Sequence, residues 1–171
     1  MKYYILPFVF FICPFSFILY AQNISVGPYL QDAEPTSMTI MWETSDGEES
    51  TVEWGMTNTL GNSSSGLFIT GNGSSKIHTT LVNGLTANTK YYYRVITGSV
   101  QSNIFDFVTP PESNSEASFN IIAMSDMQQD WQHPNVFSDM VNDQVIPFVN
   151  ARYGNDLATD LAYVFIPGDL V

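Results

Sequence analysis

The chain has 171 residues, 44% hydrophobic and 13% charged. That is enough apolar material for a core in one or two domains and too much for low-complexity disorder. Asp and Glu number 17 against 5 Lys and Arg, a formal net charge of −12, and no basic stripe offsets it; nucleic acid and anionic membrane surfaces are therefore excluded as general partners.

Residues 1–21 set the expected compartment. Lys2 precedes an apolar stretch, residues 3–20, that ends on small Ala21 before polar Gln22 and Asn23, the layout of a secretory signal peptide. Pro7 and Pro14 interrupt it as a helix and only one basic residue flanks it, which argues against a membrane anchor. Phe10, Phe11 and Ile12 before Cys13 lack the small residues of a lipid-attachment site. The expectation is cleavage and a secreted or periplasmic protein, with membrane contact only through this segment where it stays uncleaved. Cys13 is the only cysteine, so removal of the segment leaves no thiol and no internal disulfide.

Residues 22–109 read as all β: short apolar or β-branched runs separated by Gly, Asn and Ser clusters. Seven candidate strands fall at 25–29, 38–43, 51–55, 67–70, 77–82, 91–97 and 104–108. In the second, the period-two repeat turns Met38, Ile40 and Trp42 to one face, and Trp42 and Trp54 read as core. The stretches 46–50, 61–66 and 71–75 carry turn chemistry. Seven short strands over this length suggest a sandwich. His78, between Ile77 and Thr79, reads as a sandwich residue, and Asn23, Asn62 and Asn72 begin Asn-x-Ser triplets, glycosylation acceptors only in a eukaryotic secretory route.

The run from Gly84 to Val95 resembles the fibronectin type III corner that leads into the penultimate strand, with Leu85, Thr89, Tyr91 and Val95 matching and Ala87 in place of the usual Pro. The resemblance implies that Leu85 plugs the core and that the Tyr91 hydroxyl bonds back to loop backbone.

Residues 110–118, polar and Pro-led, read as a linker. After it the pattern changes. Residues 119–124 form an apolar run expected of a strand buried on both faces of a parallel sheet. From 135 to 150, Val136, Phe137, Met140, Val141 and Val145 recur at helical spacing, with Pro147 near the end. Residues 161–166 read as a second buried strand. Residues 119–171 thus begin an α/β domain with one right-handed β-α-β unit.

Asp126 and Asp169 follow the two strands at equivalent places, at the carboxyl edge where open α/β sheets bind ligands. On neighbouring strands their carboxylates converge, and a bridging cation relieves the repulsion. Paired metal ions do so while clamping a phosphate and activating a water. The alternative for either Asp is a helix cap.

With Gly27 to Gln31 at the start of the sandwich, the corner, and Phe105 to Pro110 at its end, the first domain is similar to the N-terminal domain of purple acid phosphatases. The strand with Asp126, and Pro167-Gly168-Asp169, resemble the first two metal motifs of calcineurin-like metallophosphoesterases. The resemblance implies a phosphoesterase with two metal ions, Fe with Zn, Mn or Fe, acting on a small phosphate ester. Asp126 would bind one metal and Asp169 would bridge both. Gln128 stands where many relatives carry a ligand His, and the family's tyrosine ligand would fall three residues after Asp169. Gln128 and His133 are candidate substrate or supporting contacts; otherwise His133 and Asp130 are polar loop residues. The downstream Asn-His motif and later histidines are not in these 171 residues, so the expectation is a fragment inactive by itself. The alternatives are a phosphodiesterase or nucleotidase of the same superfamily, or a secreted fibronectin-like binding module without catalysis.

Overall fold

A computed structural model of the chain describes residues 22–128 and 131–168. The first nine strands are β1 (Ile24–Glu34), β2 (Ser37–Thr44), β3 (Thr51–Gly55), β4 (Asn62–Ser65), β5 (Leu67–Thr70), β6 (Lys76–Asn83), β7 (Lys90–Thr97), β8 (Val100–Gln101) and β9 (Phe105–Val108). They form two antiparallel sheets. One runs β1-β2-β6-β5; in the other β4, β3, β7 and β8 follow in order and β9 also pairs with β7.

The core lies between the sheets because the strands alternate. In β2 every second residue, Met38, Ile40, Trp42 and Thr44, is buried, and in β7 Tyr91, Tyr93, Val95 and Thr97 do the same from the opposite side. Val52, Val82, Leu85 and Phe107 complete the cluster, with Trp54 packed at its margin. Trp42 is thus a core residue, and Trp54, partly buried, packs against the core. The corner forms as its residues imply: Leu85 is buried, the Tyr91 ring is buried, and the Thr86 amide donates to the Tyr91 hydroxyl at 3.0 Å. A buried tyrosine is satisfied in this way, and the turn is tied to the strand.

Two strands are added to the seven expected. Residues 61–66 were expected as a turn, yet β4 lies within them, pairing Asn62 to Ser65 with Trp54 to Thr51. Polar Ser and Asn have weak strand preference; tertiary context supplies the reason, since the Ser64 hydroxyl accepts from Trp54 Nε1 at 3.0 Å. Gly66 then lets the chain cross to the other sheet. A Cβ there would collide with the Thr79 carbonyl and the Thr80 side chain, so only glycine permits the approach. The other addition, β8, is a two-residue pairing that closes a hairpin on β7.

Residues 110–118 form no strand or helix. Beyond them come β10 (Ile121–Ala123), α1 (Val136–Asp139), a π-helical stretch (Met140–Val145), α2 (Ile146–Tyr153), α3 (Leu157–Asp160) and β11 (Tyr163–Phe165). The caps Met140 and Ile146 have helical torsions, so α1, the π stretch and α2 run on continuously. Pro147 therefore sits inside the helical run rather than near its end, and it opens α2. It has no N–H to give and its ring crowds the preceding turn; a widened π turn just before it accommodates both effects.

β10 and β11 pair in parallel, with Ile121 opposite Tyr163 and Ala123 opposite Phe165. Both strands are shorter than the apolar runs that announced them. They are also exposed, contrary to the expectation of burial on both faces: Ile121 is 57% and Phe165 51% accessible. The physical reason is that, among the described residues, no helix packs closely over either face of this two-stranded sheet. The unit is pinned to the sandwich by Lys90, whose ammonium lies 2.6 Å from Asp106 and 2.7 Å from Asp156, the N-cap of α3.

Candidate metal-binding edge

Asp126 is three residues beyond the end of β10. Its φ is +59°, a left-handed conformation uncommon outside glycine, and its side chain is exposed while that of Met127 is fully buried. Such torsions concentrate at functional sites. Met127 anchors the loop, Asp126 projects from it, and the Ser125 hydroxyl donates to Asp126 Oδ2. Gln128 is exposed beside them. Asp130 and Asp169 lie outside the described residues. Gly168, the middle residue of the Pro167-Gly168-Asp169 motif, follows β11 by three residues and has no atom near the position of a Cβ.

His133 is exposed, in the loop before α1, and lines an open depression of about 350 Å³ with Gln132, Pro134, Val136, Asp139 and Gln144. Among the described residues no group of three or more His, Cys, Asp or Glu side chains converges as a metal site. A carboxylate is a hard oxygen donor suited to divalent and trivalent ions, so Asp126 fits a metal centre as one of its ligands. The amide of Gln128 is a poorer donor.

A second polar site, unforeseen as a unit, lies in the sandwich. His78 is fully buried, stacked on Trp42 with ring centroids 4.9 Å apart. Its Nδ1 lies 2.8 Å from Ser50 Oγ and its Nε2 2.8 Å from Thr44 Oγ1. Because the Ser50 hydroxyl donates to the Leu67 carbonyl, it accepts from His78, which places the proton on Nδ1 and leaves Nε2 accepting from Thr44. Burial, and secondarily the charge of Lys76, lower the His78 pKa from its ordinary value. The arrangement is closed to solvent, so it is a structural pin. The alternation of His78 with Ile77 and Thr79 was its only sequence signal.

The fold is thus an antiparallel β-sandwich followed by a short β-α-β unit. Residues 25–109 match the family described as Purple acid Phosphatase, N-terminal domain. Among solved structures, purple acid phosphatase PPD1 from yellow lupin (Lupinus luteus) seeds is 13% identical with a TM-score of 0.53, over 84% of this chain and 35% of that one. PhoD is 17% identical with a TM-score of 0.50, over 65% of this chain and 24% of that one. The sensor domain of the anti-sigma factor RsgI4 in Pseudobacteroides cellulosolvens is 13% identical with a TM-score of 0.43, over 57% of this chain and 100% of that domain. At these identities the likeness to PPD1 and PhoD is one of fold, and this chain spans about a quarter to a third of their length. No curated protein matches the sequence.

Proposed function

We propose that the full-length protein bearing these residues is a secreted, metal-dependent phosphoesterase of the purple acid phosphatase type, acting on a small phosphate ester. The observation that carries this reading is the parallel register of β10 and β11. With Ala123 opposite Phe165, Asp126 follows β10 by three residues and position 169 comes, in sequence, four after the end of β11; the carboxyl ends of parallel strands are where such sheets bind ligands. The family match of the sandwich and the fold likeness to PPD1 and PhoD support it.

In this reading Asp126 and Asp169 would hold two metal ions, Asp126 contributing to one and Asp169 to both. Such a centre, when bound, supplies charge neutralisation at phosphate and an activated water for in-line displacement. The chain's own part is to present the carboxylates. Met127, buried, fixes the loop; the Ser125 hydroxyl orients one carboxylate oxygen of Asp126. His133 and Gln128 would serve as substrate or supporting contacts. The −12 charge disfavours polyanionic substrates such as nucleic acid and is compatible with a single small ester. A complete centre of this kind would need ligands besides these two carboxylates.

The test is metal content and hydrolysis of an aryl phosphate by the full-length protein, compared with Asp126→Asn and Asp169→Asn. Loss of an outer partner alone costs roughly 10–100-fold, so loss of a ligand should cost at least that, with less metal bound and the fold intact by circular dichroism. Full activity and full metal content in both variants would refute the assignment.

A further inference from the structure

The chain contains two Asn-Gly pairs, Asn72-Gly73 between β5 and β6 and Asn83-Gly84 at the end of β6. In such a pair the glycine nitrogen can reach the Asn side-chain carbonyl carbon, because glycine has no Cβ to obstruct the approach. Both pairs are exposed, and both glycines have positive φ, +66° at Gly73 and +76° at Gly84. What separates them is how firmly the backbone is held.

Asn83 is the last residue of β6 and stands opposite Ser37 in the ladder with β2. Two residues on, the Leu85 amide donates to the Thr36 carbonyl at 3.0 Å and the Leu85 side chain is buried in the core. A strand residue is held with ψ near about +135°, so turning Asn83 toward ring closure means opening the end of the ladder. Asn72 instead begins a four-residue turn, closed by the Ser75 amide donating to the Asn72 carbonyl at 3.2 Å. Gly73, at the second position, contributes its amide neither to that bond nor to the one from the Gly71 amide to the Ser75 carbonyl. A Cβ on Gly73 would meet nothing within 4 Å, so the space around the turn is open. The related pair Asp46-Gly47 offers a carboxylate with no amine to expel, and its Gly47 amide is held by Asp46 Oδ1 at 2.8 Å.

We infer that Asn72 is a site of spontaneous covalent modification in the folded protein, converting through a cyclic imide to a mixture of aspartate and isoaspartate. The Gly73 nitrogen loses its proton and bonds to Cγ of Asn72; the bond from Cγ to Nδ2 breaks and ammonia leaves. Water is the co-reactant that opens the ring. Breakage of the new bond to Cγ leaves aspartate, whereas breakage of the bond to the main-chain carbonyl carbon leaves isoaspartate, with an extra methylene in the turn. Either product adds a carboxylate to a chain already at −12.

Tryptic peptide mapping of the full-length protein, held native in mildly alkaline buffer at physiological temperature and sampled over days, tests this. A bacterial expression host keeps Asn72 free of glycan. Cleavage after Lys76 and Lys90 puts Asn72 and Asn83 on different peptides. The Asn72 peptide should gain the mass of an amide-to-acid change and resolve into two products of equal mass. It should do so at least about 10-fold faster than the Asn83 peptide, one step of about 1.4 kcal/mol in barrier. The rate should rise with pH, since the attacking nitrogen must lose its proton. In urea, where the ladder is gone, the two peptides should convert at comparable rates. An Asn72 that stays an amide in the native protein, equal native rates at the two positions, or aspartate as the single product would overturn the inference. A difference that persists in urea would place the cause in the flanking sequence and overturn the assignment to the turn.

Discussion

His78 shows how a single side chain in a sandwich core couples stability to acidity. Its two ring nitrogens are matched to one acceptor and one donor, and a second proton on Nε2 would face the Thr44 hydroxyl hydrogen in a site without water access. The folded pKa lies below the ordinary 6.5. The unfolded chain therefore takes up a proton as pH falls through about 6.5 while the folded chain does not, and stability is whole above that pH and declines below it, by at most about 1.4 kcal/mol per unit. Urea midpoints at pH 7.5 and pH 5.5 should differ in the native protein. His78→Phe should be less stable at both, since Ser50 and Thr44 lose a partner, but its midpoints should differ less. An equal pH dependence in both proteins would show that His78 does not carry the effect. At this scale the sequence was legible where alternation was strict: Tyr91, Leu85, Met38, Ile40 and Trp42 all occupy the places their spacing or corner pattern implied. The Ser50-His78-Thr44 network was not legible, because its three members come from separate strands and strand ends that only the register brings together.

Among the elements, seven sandwich strands were read from their apolar runs and two, β4 and β8, were missed; β4 left no signal, since Asn62 to Ser65 has no apolar residue, and the strand exists because β3 offers it an edge and Trp54 a hydrogen bond. Context of the same kind decides how the β-α-β unit meets the sandwich. Lys90 on β7 holds Asp106 from β9 and Asp156 at α3 simultaneously. The two hydrogen bonds raise the Lys90 pKa, and the bond from Lys90 is the main cause of the lowered Asp156 pKa. Lys90 and Asp156 are partly exposed, so the pair is worth little in global stability. Its effect lies in orientation: the residues 110–118 that join the two units make no strand or helix to fix the angle. Lys90→Met should leave the unfolding midpoint of the sandwich nearly unchanged while raising the rate of proteolytic cleavage within 110–118. High salt should do the same to the native protein by screening. Cleavage rates unaffected by either treatment would mean that other contacts set the angle.

Across the whole molecule, the two parts differ in how far they bury what their sequences predicted. In the sandwich, ten buried apolar residues form one cluster between two sheets. Among the described residues of the β-α-β unit Val149 and Met127 are the buried apolar ones, while Phe119, Ile121, Phe148, Tyr163 and Phe165 remain exposed. The apolar runs at 119–124 and 161–166 were correctly placed as strands, but their burial depends on partners that two strands and a helical run cannot supply. Local stability follows burial. Hydrogen exchange on the 171-residue chain should therefore separate two classes of amide: those of β2, β3, β6 and β7 exchanging only through global unfolding of the sandwich, and those of β10 and β11 exchanging through a much cheaper local opening. Under the proposed function a longer chain would cover this sheet; the same amides would then move into the slow class, and Asp126 would sit on a rigid edge, as a metal ligand requires. Slow exchange of Ile122 and Val164 in the 171-residue chain, matching that of Val52 and Val95, would show instead that the unit is stable as it stands.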